Sequence, residues 1–480
     1  MLSFLSVTNE DLERLDAQQA VEFFRKLLWA EAASLGISKS LINVPSAITV
    51  GDGGVDAEVR DANIGGDLIK PGLTRYQIKT GDFTRTKSDL RTLFYKGKSN
   101  QLHPRVQACF DRGGTFVVVL FGWDNPDDKD VDVVQQCRQL LNEHHPQYSE
   151  RGIEVWRQNN LIAFLTKYPS LALDLTGRQN LRFQTHRSWA LDAEMQLPLQ
   201  LGSAQHEFIR KLRSELRNQH RDAIHVRILG EAGIGKTRLV LESTREEDVA
   251  PFVVYYDNAS RFLEDQLLTD LLREDNTFEV VLILDDCAFD TSIEVWNKLK
   301  HRGPRIKLVT LYQDFDKGLG TSIVFETPPL DGAAILEIIQ SYGIPKDGAA
   351  RWAPECGGSP RVAHAVGANL RSNPEDLRLD TPDIVHVWNR YILGIEDPKS
   401  DRAYRRRLIL QYLALFKRFG FGRHLVNEAK AIQSLVVEAD PQVTWPRFEE
   451  EIAALRKRKI LQGETTLYYS GPQISDQAIS

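Results

Sequence analysis

The sequence predicts an α/β protein of several domains, and three observations support this. Apolar strand-length segments alternate with amphipathic helices between residues 201 and 330, which is typical of a parallel sheet covered on both faces. Residues 1–172 mix short strands and helices less regularly, which predicts a separate mixed α/β domain. After residue 330 the apolar spacing becomes helical, so we expect helical segments towards the C-terminus.

The length of 480 residues exceeds what a single hydrophobic core usually organises. We expect an N-terminal domain over residues 1–172 and, because periodicity is lost there, a linker over residues 173–200. A central domain over residues 201–330 precedes a helical lid over 331–395 and a C-terminal domain over 396–480.

Individual elements follow from the spacing of the apolar residues. A helix is predicted over residues 10–37, where Gly36 ends the helical pattern, and a strand is predicted at Ala47–Val50. Near the C-terminus we expect a helix at Pro446–Lys459 and a hairpin-like pair around Gly463.

The composition excludes several classes of protein. A net charge of −6 and a pI near 6.1 give no overall basic field, so bulk charge does not predict a nucleic-acid partner. The four cysteines lie far apart without a CxxC pair, which argues against a disulfide framework or a zinc knuckle. Apolar stretches such as Phe116–Phe121 are too short for a bilayer, and no secretory signal is present at the start. We expect a cytoplasmic protein without a membrane partner.

Residues 230–237 (GEAGIGKT) form a phosphate-binding motif between an apolar strand and a helix. Glycines in such a loop let successive amide N–H groups point at phosphate oxygens, and the next helix adds its positive dipole end. The Lys236 ammonium would reach the β- and γ-phosphates, and the Thr237 hydroxyl would ligate Mg²⁺. The predicted nucleotide-binding residues are Gly230, Glu231, Ala232, Gly233, Ile234, Gly235, Lys236, Thr237 and Arg238. We therefore expect ATP and Mg²⁺ as cofactors.

A second acidic element supports the nucleotide site. Residues 280–286 (VVLILDD) read as a buried strand that ends in two carboxylates, about 45 residues after the phosphate motif. Asp285 would hold Mg²⁺, and Asp286 would polarise an attacking water. An apolar strand ending in Asp is common in itself; the pairing with the upstream loop makes it specific.

Two weaker features complete the predicted site. Thr310 ends a strand at Lys307–Leu311, where it would either sense the γ-phosphate or cap the strand. Pro360 and Arg361 follow a Gly-Gly-Ser turn. They would either contact the adenine and the phosphates or simply begin a helix, because Pro is common in the first helical turn.

These motifs carry a resemblance. Residues 200–470 resemble the NTPase core of the STAND class of signal-transducing ATPases, through GEAGIGKT, LILDD, the Gly-Ser-Pro turn and the helical and winged-helix segments that follow. The resemblance implies that ATP binding and hydrolysis switch conformation and oligomeric state. STAND proteins usually continue into a long repeat-built sensor after the winged helix. This chain ends at Ser480, which implies either a fragment or a short sensor.

The N-terminal domain contains a second candidate site. A glycine-rich turn at residues 51–54 enters a strand that carries Asp56, and residues 76–79 (YQIK) form another strand about twenty residues later. Gln77 and Lys79 share one face of that strand because side chains alternate. Asp56 and the Ile78 carbonyl would ligate Mg²⁺, and Lys79 would activate water and stabilise developing charge. The alternative is a hairpin turn beside a polar strand edge.

This pair of strands resembles the PD-(D/E)xK nuclease superfamily, in the Mrr-like branch where Gln replaces the middle acid. The resemblance implies a restriction-endonuclease-like domain with Asp56, Gln77 and Lys79 as catalytic residues. It also implies a carboxylate on the first helix, for which Glu22 is the better match and Glu31 the runner-up. Glu58, two residues after Asp56, would add to the site.

Together the domains resemble the antiviral STAND (Avs) proteins of bacterial anti-phage defence. That resemblance implies an ATP-gated, Mg²⁺-dependent endonuclease acting on double-stranded DNA, triggered by a phage protein and active as a homo-oligomer, with a tetramer as the expected size. The alternatives are a restriction-type enzyme with an NTPase motor and a non-enzymatic signalling or transcription regulator.

Overall fold

The computed structural model describes residues 5–45, 54–81, 83, 86–122, 133–178, 183–218, 223–231, 233–273, 278–312, 322–372, 400–416, 419–421, 425–457, 461–463 and 468–470. The strand predicted at Ala47–Val50, the glycines at 51 and 53, and Ala232 lie outside these residues. None of the described helices is both long and apolar enough to span a bilayer.

A five-stranded sheet forms the centre of the N-terminal module. Its strands are β1 (Ile42–Asn43), β2 (Ala57–Ala62), β3 (Gly72–Lys79), β4 (Thr115–Leu120) and β5 (Gly152–Trp156). They lie in chain order, with β2 antiparallel to β1 and β3, and with β3, β4 and β5 parallel. The sheet therefore contains both parallel and antiparallel pairs, and it is the sheet of a mixed α/β module.

Helices cover both faces of this sheet. They are α1 (Asn9–Glu13), α2 (Ala17–Ser34), α3 (Lys87–Phe94), α4 (Pro104–Asp111), α5 (Val133–His144), α6 (Gln158–Leu165) and α7 (Pro169–Thr176). The helix predicted over residues 10–37 is divided in two, because Asp16 caps a new helix: its carboxylate accepts a hydrogen bond from the Gln19 amide at 2.8 Å.

The two faces carry separate cores, and this separation decides which residues can meet at a site. Helix α2 packs on one face, where the Phe24 and Tyr76 rings lie 5.2 Å apart. Helices α3, α4 and α5 pack on the other face, through Leu93 and Phe110 against Val118. Gln77 is aligned with Val118 in the β3–β4 register, so the Gln77 side chain lies on the α3–α5 face.

The segment predicted as a linker, residues 173–200, has structure of its own. Strand β6 (Phe183–Thr185) pairs antiparallel with a strand of the central sheet, and the short helix α8 (His186–Ala190) follows it directly. Leu5 and Leu173 enter the same core as Phe183. The segment lacks sequence periodicity because its strand and helix are only three and five residues long. The N-terminal and central modules consequently share buried apolar contacts.

The central module is a P-loop α/β sheet. Its strands are β7 (Ile224–Leu229), β8 (Val253–Tyr256), β9 (Val280–Leu284), β10 (Ile306–Tyr312) and β11 (Ile323–Glu326). The spatial order is β11-β7-β10-β9-β8-β6, and every pairing except that with β6 is parallel. Helices cover both faces: α9 (Ser203–Arg217), α10 (Lys236–Ser243), α11 (Gln266–Leu272) and α12 (Phe289–Leu299). This confirms the predicted parallel sheet with two covered faces.

Helical segments follow, as expected. Helices α13 (Gly332–Gln340), α14 (Lys346–Trp352) and α15 (Pro360–Ser372) share a core. The last described part contains α16 (Asp401–Ala414), α17 (Val426–Ala439) and α18 (Trp445–Lys457), with strands β12 (Phe419–Gly420), β13 (Gln462–Gly463) and β14 (Tyr468–Ser470). Strands β13 and β14 pair antiparallel around the predicted hairpin, and β12 pairs with β14. The assignment of this part to a winged helix stays a prediction.

Candidate functional site

The phosphate loop has the backbone that its glycines predict. Gly230, Gly233 and Gly235 adopt φ values of 152°, 82° and 101°, which side chains with a Cβ adopt rarely. Strand β7 leads into the loop, and α10 starts at Lys236, so the free N–H groups of the helix face the loop. This geometry fits a bound phosphate chain.

Lys236 lies folded onto this loop. Its ammonium donates hydrogen bonds to the carbonyls of Gly230 at 2.7 Å and Glu231 at 2.8 Å. Burial is the main cause that lowers the pKa of Lys236 to about 8; the charge of Asp285 opposes this shift and the nearby guanidinium of Arg361 adds to it. The buried ammonium would gain further stabilisation from the negative charge of a bound polyphosphate.

The two predicted metal ligands of this site are in contact. The Thr237 hydroxyl donates to Oδ2 of Asp285 at 2.8 Å, so its lone pairs are left for a cation. The Asp286 amide donates to Oδ1 of Asp285 at 2.9 Å. Asp286 itself has φ of 50°, in the left-handed region, and lines the same cleft. The residues present thus fit a Mg²⁺-bound nucleotide.

The turn before α15 lies directly on the phosphate loop. The Ser359 hydroxyl donates to the Gly233 carbonyl at 3.1 Å, and the Arg361 amide approaches the same oxygen at 3.4 Å. A Cβ at Gly235 would lie 3.4 Å from Cγ of Pro360. Pro360 begins α15, and this helix start lies against the phosphate loop. The contacts of Pro360 with the adenine and of Arg361 with the phosphates stay predictions.

Thr310 does not line the cleft. Its side chain is buried in the sheet, and its hydroxyl lies 3.2 Å from Nε2 of His225 on β7. Burial lowers the pKa of His225 to about 4, so the ring is neutral. Tyr312, two residues later, is at the cleft instead. The predicted γ-phosphate role of Thr310 is therefore corrected to a hydrogen bond within the sheet.

Arg238 faces the segment before the central module. Its guanidinium donates to the carbonyls of Met195 at 2.5 Å and Leu197 at 3.2 Å, and pairs with Glu242 at 3.0 Å. These contacts place residues 192–201 along one wall of the cleft, which has a volume of about 1190 Å³. Ile234 and His364 lie in its lining as well. Arg238 lines the cleft and links the helix after the phosphate loop to this wall.

The N-terminal site brings Asp56 and the Gln-Ile-Lys strand together. Ala57 pairs with Tyr76, so Asp56 lies opposite Gln77, and the Ile78 amide donates to Oδ2 of Asp56 at 2.6 Å. Oε1 of Gln77 is buried and has no hydrogen-bond partner among the described residues. Lys79 is half-buried on the same face at the end of β3. A buried acceptor oxygen beside a carboxylate fits a bound cation or a water on that cation.

The predicted helix carboxylates do not join this group. Glu22 is exposed on α2, which packs on the opposite face of the sheet, and lies 4.0 Å from Lys26. Glu31 is buried, and its carboxylate accepts hydrogen bonds from the amides of Asp67, Leu68 and Ile69 at 2.7–2.9 Å. Glu31 therefore anchors the loop before β3.

Glu58 has a different set of partners from the one predicted. Its buried carboxylate accepts hydrogen bonds from Arg75 at 2.6 Å, Arg60 at 2.5 Å and Arg105 at 3.4 Å. Burial opposes ionisation, but the arginine hydrogen bonds and charges outweigh it and lower the pKa of Glu58. Its position on the face of Asp56 is as predicted, but its oxygens bind guanidinium groups. No group of three His, Cys, Asp or Glu suited to a metal occurs among the described residues.

Tyr255 and Trp189 belong to the nucleotide site but were not predicted. The Tyr255 hydroxyl donates to Oδ2 of Asp285 at 3.1 Å, and the Trp189 ring stacks on the Tyr255 ring at 4.2 Å. Both residues line the cleft. No local motif marks them, because they meet Asp285 only through the strand order β9-β8 and the helix that follows β6.

Comparison with known proteins gives no family. No protein-family model matches the chain, and no curated protein matches it. Among solved structures it is similar to Cdc6p from Pyrobaculum aerophilum, with 16% identity over 61% of this chain and 96% of that one, at a TM-score of 0.31. The ORC2 protein of Aeropyrum pernix gives 13% identity over 62% and 96%, at 0.31.

A third similar structure is a signal transduction ATPase with numerous domains (STAND) that has a tetratricopeptide repeat sensor, from Pyrococcus horikoshii. It shares 14% identity over 59% of this chain and 43% of that one, at a TM-score of 0.32. The strand order and the phosphate loop themselves identify the central module as a P-loop α/β fold.

Proposed function

We propose that the chain is an ATP-gated, Mg²⁺-dependent DNA endonuclease of STAND type. The central module would bind the nucleotide and the N-terminal module would cleave the DNA backbone. One observation carries the cleavage proposal: Asp56 lies opposite Gln77, whose buried amide oxygen has no partner among the described residues, with Lys79 on the same face. A buried acceptor of this kind costs about 1–3 kcal/mol unless a ligand satisfies it.

The N-terminal residues would divide the work between them. Asp56 and the Ile78 carbonyl would hold Mg²⁺, which when bound supplies Lewis-acid stabilisation of the phosphate and a more acidic water. The Gln77 oxygen would accept a hydrogen bond from a water at the site. Lys79 would place its ammonium beside the scissile phosphate and stabilise the charge that develops there. The Ile78 amide fixes the orientation of Asp56 through its 2.6 Å hydrogen bond.

The nucleotide site would act as a gate. On binding, the Lys236 ammonium would leave the loop carbonyls for the phosphates, while Thr237 and Asp285 would hold the metal. Helix α10 contacts the segment that leads to the N-terminal module, because Arg238 binds the Met195 carbonyl and the His186 ring lies 3.2 Å from the Leu241 carbonyl. A shift of this helix would therefore move contacts that reach the N-terminal module.

The acidic net charge agrees with gating. A chain of net charge −6 attracts DNA weakly, so several copies together would engage it better than one. Homo-oligomer formation on activation, with a tetramer as the proposed size, would bring several N-terminal sites to one duplex. Defence against phage, with a phage protein as the trigger, is the setting that the resemblance implies.

The test is a plasmid-cleavage assay with purified protein, in which ATP, Mg²⁺ and phage lysate are each omitted in turn. Wild type should cleave only when all are present. Lys79→Ala should lose cleavage but bind ATP as wild type does. Lys236→Ala should lose both ATP binding and DNA cleavage. Lys87→Ala is a matched control, because Lys87 is exposed in the same module and pairs with Glu143.

The results separate the alternatives. Wild-type cleavage by Lys79→Ala would remove the N-terminal site from the reaction, and unchanged ATP binding by Lys236→Ala would remove the phosphate loop. ATP turnover that DNA stimulates without a trigger would favour the restriction-type motor. Sequence-specific DNA binding without Mg²⁺-dependent cleavage would favour a regulator.

A further inference from the structure

We propose that Tyr255 is a positioning residue for the metal-binding carboxylate of Asp285, and that the stacked ring of Trp189 holds it in place. This inference rests on the proposed nucleotide function of the central module. It adds a residue from outside the phosphate loop and the acidic strand end, which together supply the other hydrogen bonds to that carboxylate.

The Tyr255 contact falls on the same Asp285 oxygen as the contact of Thr237. Oδ2 of Asp285 accepts hydrogen bonds from the Thr237 hydroxyl at 2.8 Å and from the Tyr255 hydroxyl at 3.1 Å. Thr237 is itself the expected ligand, so its hydroxyl is shared between the metal and Asp285. Tyr255 is not a predicted metal ligand, so its hydrogen bond can hold the carboxylate in one rotamer before and after the metal binds. Hydrogen bonds of this kind orient metal ligands in other proteins.

Two contacts hold Tyr255 in place: the pairing of its backbone with β9 and the stacking of its ring on Trp189. Residue 255 pairs with Ile283 across the β8–β9 ladder, so its backbone is held beside the strand that ends at Asp285. Its ring stacks face to face on Trp189, with centroids 4.2 Å apart and planes within 6° of parallel. Trp189 is 1% exposed and Tyr255 8% exposed. A ring held in this way directs its hydroxyl to a single point.

The Tyr255 hydroxyl carries its proton in the hydrogen bond to Asp285. Burial raises the pKa of Tyr255 well above its ordinary value, and the neighbouring negative charge of Asp285 raises it further.

The next residue provides a matched control. Tyr256 lies on the other face of β8, is fully buried, and donates its hydroxyl to Asp265 at 2.8 Å. Tyr256→Phe and Tyr255→Phe each remove one buried hydroxyl from the same strand. Only Tyr255→Phe removes a hydrogen bond to Asp285.

The experiment measures Mn²⁺ binding by electron paramagnetic resonance in the presence of ADP, and ADP binding in EDTA. Tyr255→Phe should weaken Mn²⁺ binding by about 10-fold or more, the usual effect of removing such a partner. Its ADP affinity in EDTA should match wild type, which also shows that the variant is folded. Tyr256→Phe should leave both values at the wild-type level.

A second variant covers the case in which Tyr255→Phe does not fold. Trp189→Phe keeps an aromatic ring against Tyr255 but shrinks the stacked surface, and should weaken Mn²⁺ binding in the same direction. If Tyr255→Phe and Trp189→Phe, where they fold, both bind Mn²⁺ with wild-type affinity, the role of Tyr255 is overturned while the nucleotide site stays intact. Failure of the wild-type protein to bind Mn²⁺ with ADP would instead overturn the nucleotide function on which the inference rests.

Discussion

Nucleotide binding should take up a proton at Lys236. In the structure, burial lowers the pKa of this ammonium to about 8, and the charge of Asp285 offsets only part of that effect. Bound phosphates would place several negative charges beside the ammonium, and nearby opposite charge raises a lysine pKa. A lysine that is partly neutral before binding would therefore become fully protonated on binding.

The size of the effect follows from the pKa. With a value of about 8, Lys236 is about one-tenth neutral at pH 7, about half neutral at pH 8 and about nine-tenths neutral at pH 9. The number of protons taken up per bound nucleotide should equal the neutral fraction of Lys236 at each pH. Above pH 8 the nucleotide affinity should fall, approaching tenfold per pH unit, because binding takes up a proton and the proton concentration falls tenfold per pH unit.

Stability should change in the opposite direction with pH. Because the folded pKa of Lys236 lies below its ordinary value of 10.5, the unfolded chain binds more protons between pH 8 and that value. The lysine therefore destabilises the nucleotide-free fold below about pH 8, and this penalty is lost as the pH rises towards the unfolded pKa.

Isothermal titration calorimetry at pH 8 and pH 9, in buffers of different ionisation enthalpy, measures the proton count directly. The terminal phosphate has its second pKa at about 6, so it contributes little to the number of protons taken up at these pH values. Lys236→Arg keeps the charge permanently protonated, and whatever binding it retains should show no dependence on the buffer. A wild-type binding enthalpy independent of the buffer at both pH values would refute the reasoning.

Two further predictions concern particular side chains. Glu31→Ala should lower the free energy of unfolding by about 3 kcal/mol or more, because each of the three amides of residues 67–69 that loses its acceptor costs about 1–3 kcal/mol. Urea denaturation checks this, and a change below 1 kcal/mol would contradict the anchoring role. Gly233→Ala should weaken ADP binding about tenfold, because its φ of 82° costs a side chain about 1–2 kcal/mol and the added Cβ would lie 3.1 Å from Cβ of Arg361. Fluorescent-nucleotide titration should show that loss, and wild-type affinity would mean that the loop adapts freely.

The nucleotide site was largely predictable because its chemistry is local. The phosphate loop places Gly230, Lys236 and Thr237 within one turn and the start of one helix, and the strand order then brings Asp285 beside Thr237. The strand predicted within residues 280–286 is observed at Val280–Leu284, directly before the two aspartates, because a fully buried strand is a continuous apolar run.

Contacts between distant segments were not predictable in the same way. Tyr255 reads in the sequence as one more aromatic residue in a buried strand, and only the pairing of β8 with β9 places its hydroxyl at Asp285. Thr310 has the right position at the end of a strand, but its side chain turns to His225, which lies 85 residues earlier in the chain. Pattern and spacing give the position along a strand, while the hydrogen-bond partner depends on the neighbouring strands.

The N-terminal site shows the same division. The period of two correctly places Gln77 on the same face as Lys79, and the register sets Asp56 opposite Gln77. The spacing did not show that α2, with Glu22, covers the opposite face, or that Glu58 binds Arg75. Such partners depend on which face each helix packs against, which is a tertiary choice.

The most direct test is Asp56→Asn, scored in one preparation for plasmid cleavage and for ATP binding. Asn keeps an oxygen that can accept the Ile78 amide at the observed 2.6 Å contact, so the fold should be retained while the negative charge is lost. We expect cleavage with ATP, Mg²⁺ and phage lysate to fall by more than about 100-fold, because metal-assisted charge stabilisation contributes several kcal/mol. ATP binding should be unchanged. Cleavage at the wild-type rate by Asp56→Asn would contradict the assignment of DNA cleavage to the N-terminal module.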